Sequence, residues 1–564
     1  MRVSKPGIRG TFPSSTGRGL RAVLLASIAA IAVSPAFATP FTVLTVPPDA
    51  NATSAKTLAN GETGTVTSSG ILQVSSDPVI TLQGGATIAN SGTIQSTNAG
   101  AGRAIRQNTA GNFSISLTNN AGALITSNGD TFQINKNTGT GTVIATNAGT
   151  IQSVGLAGAF NTNGQALDFD ADTTTTGTIT INNLSTGVIK AADADAIRPG
   201  NNSTVNNSGQ IMVSFSALTA ANGNASGNDG IQFGSNTGAV NNLAGGSITA
   251  ARHGITGDKA VTVNNSGTIV GADGSGINID TTTNTATIVT NHGTITGNAV
   301  SADGDGIDID RTIALDNFGT VRAAGIAQAG NINEALAVGG GTINNFAGAT
   351  IRSDQRAITA DDSNLGNAFA ATTINNHGTI RGDNGEAIKI TSTFANTLLN
   401  DGTILGSVVM GAGDDTVKLG PGSIIQGLID GGDGLDTIEI LDPPATSVHL
   451  GPTEDFEKLL IDDGAFLVLD AAQNIDEVVG MTFAPDGSVS NIFGNGHDIF
   501  YDPFDPVNAH LNGGNFALQD GGFLLRNAPE PMTLGLFAPG LYFLLARNGR
   551  SASLNSRRRS GWCM

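Results

Sequence analysis

One phrase of polar and apolar positions returns along most of this chain: asparagine, a variable residue, glycine, threonine and a branched aliphatic residue. It reads "NSGTI" at 90–94, "NAGTI" at 147–151, "NSGQI" at 207–211 and "NSGTI" at 265–269. It continues as "NHGTI" at 291–295, "NFGTV" at 317–321, "NHGTI" at 376–380 and "NDGTI" at 400–404. Looser copies, "NLAGGSI" at 242–248 and "NFAGATI" at 345–351, fill the intervals. A spacing of roughly 23 to 36 residues marks a solenoid, whose units bury their apolar faces against one another.

Each unit has a second part. A polar, glycine-rich loop follows the phrase, and then a short alternating segment: "DGIQF" at 229–233, "SGINID" at 275–280, "DGIDID" at 305–310, "RAITA" at 356–360, "EAIKI" at 386–390. Alternation puts Ile277 and Ile279 inward and Asn278 and Asp280 outward, a period of two that predicts strand. No window outside the two terminal segments sustains a helical stripe of apolar residues. Asparagine and glycine between strands predict turns in left-handed conformations.

Short strands, a tight Asn-x-Gly turn and a loop of variable length describe an all-β fold, a parallel β-helix. A dozen or more coils about 4.8 Å apart make a rod of roughly 60–80 Å. Ile and Val ladders fill its axis, and the repeated asparagines stack as amide ladders. Loop lengths vary while strand phrases do not, so insertions project from one or two edges, where solenoids carry their binding surfaces.

Composition narrows the setting. Residues 39–528 hold 17 of the 27 Lys+Arg and 45 of the 46 Asp+Glu, so this body is near −28 (17 − 45) against −19 for the whole chain. Such a charge argues against binding nucleic acid or an anionic surface through bulk charge. The only cysteine, Cys563, sits beside the only tryptophan, Trp562, in the tail, so no disulfide staples the body. Its core has to be built from Ile, Val, Leu and Ala.

The ends predict export. Arg2, Lys5, Arg9, Arg18 and Arg21 precede an apolar stretch at 22–33, and Ala36-Phe37-Ala38 forms a small-x-small cleavage site, cut after Ala38. At the other end Pro529-Glu530-Pro531 introduces an uncharged run, 532–546, that includes Pro539 and is followed by Arg547 and Arg550. The run is shorter than the roughly 20 residues of a comfortable membrane span. The organisation expected is a signal peptide at 1–38, a lead-in at 39–79 and β-helix repeats at 80–470 with Gly-Asp-rich coils at 406–440. A cap or linker at 471–528, the terminal signal at 529–550 and a basic tail at 551–564 follow.

These features resemble two families. The phrase series, with "MGAGDDTVKLGPGSIIQGLIDGGDGLDTIEI" at 410–440 and "FEKLLIDDGAFLVL" at 456–469, is similar to autotransporter passenger domains, right-handed β-helices displayed on Gram-negative bacteria, and that similarity implies a right-handed parallel β-helix here. The chain departs from that family in having only about 95 residues after Leu469, too few for a membrane barrel of many strands with aromatic girdles. Pro529, Glu530 and Pro531, the apolar run, Arg547 and Arg550 resemble the PEP-CTERM sorting signal. That resemblance implies transient inner-membrane anchoring through 532–546 and processing by an exosortase-type peptidase. It further implies delivery to the cell surface or extracellular matrix, in proteins linked with exopolysaccharide and biofilm.

Candidate chemistry is sparse. Gly432, Gly434 and Asp436 belong to a stretch that matches the G-G-x-G-x-D-x-U phrase of calcium-binding β-rolls, and Gly411, Gly413 and Asp415 match it less fully. The glycine carbonyls and the two carboxylates would hold Ca2+. Asp280 and Asp310 end matching strand phrases, and Asp308 also faces outward; they are the candidates for polysaccharide cleavage by paired carboxylates. His292 and His377 occupy variable turn positions and are expected to be exposed. The function expected is structural or adhesive and not enzymatic, with exopolysaccharide as partner. The alternatives are a β-helix lyase or glycoside hydrolase and a self-assembling surface coat.

Overall fold

A computed structural model describes residues 40–43 and 53–527, except 101, 136–139, 156–163, 171–176, 215–227, 301–303, 328–331, 364–365 and 443–446. The expected signal and C-terminal helices, the cleavage site at Ala36 and Ala38, and the sorting signal from Pro529 onward lie outside the described residues. Among those described, no helix is long and apolar enough to cross a membrane.

The alternating phrases become strands that pair in parallel with their equivalents one coil away. Among the described residues they form an 18-stranded sheet and a 28-stranded sheet, the two long sheets of a parallel β-helix. One coil shows the plan. A first strand, Thr262–Asn265, lies in the 18-stranded sheet, and the Asn-x-Gly turn leads to a second, Thr268–Gly271. A loop then precedes the third strand, Ile277–Ile279. Parallel pairing of this kind also joins strands outside residues 80–470, from Phe41–Val43 with Gly64–Val66 to Ile499–Tyr501 with Leu524–Arg526.

Alternation decides which side chains fill the axis. The second strands align Ile248, Ile269, Ile295 and Val321 in register, and the third strands align Ile231, Ile255, Ile277 and Ile307. All are fully buried in one continuous cluster. Val205, Val240, Val263 and Val289 form the matching column on the first strands. Removing a methyl group from such a column, as in Ile→Val, costs about 0.5–1.5 kcal/mol.

The last residue of each first strand turns inward, and there the expected amide ladder is found. From Asn90 through Asn119, Asn147 and Asn183 onward to Asn400, each buried side chain donates from Nδ2 to Oδ1 of the next coil's asparagine at 2.7–2.9 Å. The ladder ends when Asn400 donates to the Ser423 hydroxyl at 2.7 Å.

The turn glycines serve a different purpose from the one expected. Gly92, Gly149, Gly267, Gly293, Gly319 and Gly402 do not adopt left-handed conformations. A Cβ on any of them would lie well under 3.0 Å from a backbone oxygen of the preceding coil. The glycine is required because consecutive turns nearly touch. Left-handed glycines occur where the turn is longer, as at Gly245 (φ 82) and Gly348 (φ 84).

The corner between first and second strands is therefore nearly constant, and the insertions emerge at the other two corners of the coil. Where the loop between second and third strands shortens, the two merge, as in Thr379–Ile390 and Thr403–Val409. At the C-terminal end Phe516–Ala517 pairs antiparallel with Phe523–Arg526. A 3-10 turn, Pro506–Leu511, is capped by Asp505, whose carboxylate accepts from the Val507 N–H at 2.7 Å. Tyr501 is fully buried and its hydroxyl donates to the Gly514 carbonyl at 2.7 Å.

Candidate functional site

From Leu167 to Ile388, the residue two positions before the inward Ile or Leu of each third strand is polar, and alternation places it on the inner side of the strand. The structure buries it at the loop corner: Asp195 and Asp229 are 0% exposed and Asp305 is 4% exposed. Many of these side chains accept the backbone N–H of the equivalent residue one coil on. Asp195 accepts from Asp229 at 3.0 Å, Asp229 from His253 at 3.1 Å, His253 Nδ1 from Ser275 at 2.9 Å and Asp305 from Glu334 at 2.7 Å. The column thus supplies acceptors to amides that would otherwise be orphaned at a buried corner.

Charges in this column are matched locally. Arg252 grips Asp229 with two hydrogen bonds of 2.8 and 2.6 Å, and Arg198 lies 2.8 Å from Asp195. Burial, with Asp229 adding repulsion, still raises Asp195 to about 6. Burial and the neighbouring Arg252 charge lower His253 to about 3, so the ring is neutral and free to accept at Nδ1. Sequence reasoning missed this column, although its signal was present in the repeated "DGI", "RAI" and "EAI" phrases.

Outward on the third strands, Arg106, Gln133, Asp168 and Arg198 stand in register on successive coils. Gln133 donates to Asp130 at 2.7 Å and to Asp168 at 3.1 Å. Burial raises Asp168 to about 8, with Asp130 and Asp170 adding like charge. The remaining Asp168 oxygen, Oδ1, is buried without a hydrogen-bond partner. This carboxyl is held in its neutral form by its surroundings.

The proposed cleavage carboxylates lie further along the same face. Asp308 pairs in register with Asn278, and Asp280 and Asp310 each follow the last paired residue of neighbouring strands. Adjacent coils stand about 4.8 Å apart, near the roughly 5–5.5 Å carboxyl separation of retaining glycosidases and short of the inverting one. Asn278 donates to Asp280 at 2.7 Å and is itself only 8% exposed, less open than alternation implied. Burial raises Asp280, Asp310 and Asp258 adding repulsion, while Asn278 and Arg252 pull it down. Arg252, remote in sequence, is thus a basic neighbour the sequence did not disclose, and Arg311 packs over the Phe369 ring at 3.4 Å.

The residues expected to hold calcium are brought together, in a different role. Asp415 and Asp436 precede the paired residues Thr416 and Thr437 on stacked coils. Asp415 accepts from the Asn396 N–H at 2.6 Å, Asp436 from the Asp415 N–H at 2.7 Å, and Glu457 from the Asp436 N–H at 2.7 Å. The Gly411 carbonyl already accepts from the Asp433 N–H at 3.1 Å. A Cβ on Gly432 would strike the Gly411 carbonyl, and one on Gly434 the Gly413 carbonyl. These four glycines therefore serve close stacking of turns. Burial raises Asp415 to about 7 and Asp436 to about 6, and Oδ2 of each is buried without a partner. Among the described residues no group of three or more His, Cys, Asp or Glu is placed to hold a metal ion. Two carboxyls that each already accept a backbone N–H, with the Gly411 carbonyl also engaged, do not fit calcium coordination by 6–8 oxygens; the unpartnered oxygens fit retained protons instead.

The three faces of the rod differ in charge. The outward positions of the second strands include Lys190, Arg322, Arg352 and Arg381, and those of the third strands Arg106, Asp168, Arg198, Asp308 and Lys389. On the first strands the two outward positions before each ladder asparagine, from Ala89 to Leu399, are mostly Thr, Ser and Asn, with Asp316 the one charge. At the edge of this face His292, Phe318 and Phe346 stack ring on ring, with centroids 4.5 and 4.1 Å apart.

A cleft of about 760 Å3 at the C-terminal end is lined by Phe500, Phe504, Asn512, Asn515, Leu525 and Arg526 among others, without a carboxylate or histidine. No protein-family model, no curated protein and no solved structure matches this chain.

Proposed function

We propose that this chain is exported and held at the cell surface or in the extracellular matrix, where it acts as a structural or adhesive rod of an exopolysaccharide layer. The observation that supports the reading most is the continuity of the rod. One buried amide ladder runs unbroken from Asn90 to Ser423, and long polar faces lie along it. Such a body offers an extended, repetitive surface, suited to a partner that is itself extended and repetitive. Export rests on the charged start, the Ala36-Phe37-Ala38 site and the Pro529-Glu530-Pro531 segment with its apolar run and arginines. Exosortase-type processing would release the rod after transient anchoring through 532–546.

The test is fractionation of cells producing the full chain, beside cells in which Pro529, Glu530 and Pro531 are replaced by Ala. The reading predicts unaltered protein in the washed matrix and surface fraction, and the altered chain held in the membrane fraction. Recovery of the unaltered chain inside the cell would overturn it.

A further inference from the structure

We infer that the first face of the rod is the docking surface, and that it takes an uncharged polysaccharide laid lengthwise along the coils. This rests on the polysaccharide reading above and adds to it a face and a polymer class. The chain carries −19 overall, which repels a polyanion at long range. A cationic polymer would be drawn to the exposed acids, of which the first face carries only Asp316 between Ala89 and Leu399. That leaves this strip matched to a neutral, hydroxyl-rich chain.

Its side chains are also presented as a regular array. Outward positions repeat about 6.6 Å along a strand and about 4.8 Å from coil to coil. Thr180, Thr204 and Thr262 offer hydroxyls, each both donor and acceptor. Beside them Asn206 donates to Asn182 at 2.9 Å, and Asn241 to Asn206 and Asn264 to Asn241 at 2.8 Å each. These amides are held in place before any partner arrives, which lowers the entropy lost on binding. The His292–Phe318–Phe346 stack at the same edge leaves Phe318 43% exposed, an apolar rim against which the C–H face of a sugar ring can pack.

The experiment compares the full chain with two triple variants of equal charge. One carries Thr180→Lys, Thr204→Lys and Thr262→Lys on the first face; the other carries Thr268→Lys, Thr296→Lys and Thr320→Lys on the second. Circular dichroism confirms that each is folded. Sedimentation then measures binding to an uncharged β-glucan and to an anionic polyuronate. The inference expects glucan to bind in preference to polyuronate, about tenfold weaker binding in the first-face variant and less than about twofold change in the second. A Phe318→Ala chain should also bind glucan more weakly. Equal loss in both triple variants, no loss in the first-face variant, or preference for polyuronate would overturn the inference while leaving the polysaccharide reading standing. Failure of the unaltered chain to bind either polymer would overturn both.

Discussion

Asn265 donates its side-chain amide to Oδ1 of Asn291, one coil further on, at 2.8 Å, while accepting from Asn242 at the same distance. Its second amide hydrogen goes to the Thr294 carbonyl at 3.2 Å, and its Oδ1 also accepts from the Gly267 N–H at 3.2 Å. The backbone partners fix the direction of the inner ladder. The outer row runs oppositely, Asn264 donating back to Asn241. Each inner asparagine thus completes the hydrogen bonding of both neighbours inside a buried corner.

Asn291→Asp tests that dependence. The carboxylate keeps the acceptor for Asn265 but loses the donors to Asn317 and the Thr320 carbonyl. The expected cost at pH 7 is about 2–4 kcal/mol. Burial raises the folded-state value of the new acid above its unfolded one, so protonation restores one donor and the deficit shrinks as pH falls. Denaturant titrations at pH 7 and pH 4.5 should show this; an equal deficit at both would contradict the ladder's role.

The close stacking of turns makes a paired prediction. A Cβ on Gly293 would strike the Gly267 carbonyl, whereas one on Gly348 meets only open space at a left-handed φ of 84. Gly293→Ala is expected to destabilise by more than about 3 kcal/mol, Gly348→Ala by about 1–2 kcal/mol. Unfolding midpoints in the reverse order would refute the steric reading.

At the loop corner, His253 serves as an acceptor in the same column as Asp195, Asp229 and Asp305. His253→Asp should therefore stay within about 1 kcal/mol of the parent, while His253→Leu, leaving the Ser275 N–H unmatched, costs about 1–3 kcal/mol. Equal losses in the two variants would show that packing, not acceptance, matters there.

The raised carboxyls predict how stability varies with pH. Asp168 sits near 8, Asp415 near 7 and Asp436 near 6, all above the ordinary 3.8. A raised acid contributes stability that is complete below about pH 4 and is lost as pH rises through its folded value. Asp168→Asn should thus resist the loss between about pH 4 and 8, and Asp415→Asn that between about pH 4 and 7. Parallel pH profiles for parent and variants would contradict the burial argument.

Much of the fold was legible because its repeat is local. The Asn-x-Gly-Thr-Ile phrase carries the ladder residue, the turn and an inward aliphatic within five positions. What period-two alternation could not convey is what happens at corners. Asp229 and Asp305 lie two residues before inward isoleucines, so alternation puts these acids on the inner side, but it does not show that the loop folds over them and that backbone amides take up their carboxylates. Likewise Gly432 and Asp436 carry a calcium-like phrase, but the neighbouring coil occupies the turn. Arg252 beside Asp280 was hidden because coils of unequal length separate them in sequence.

The most direct test of a binding rather than a cutting role mixes the full chain with the exopolysaccharide of its own cells. Sedimentation reports the protein bound, and light scattering the polymer's length over the same hours. The account predicts bound protein with polymer length unchanged. Progressive shortening of the polymer would contradict it and turn attention to Asp280, Asp308 and Asp310.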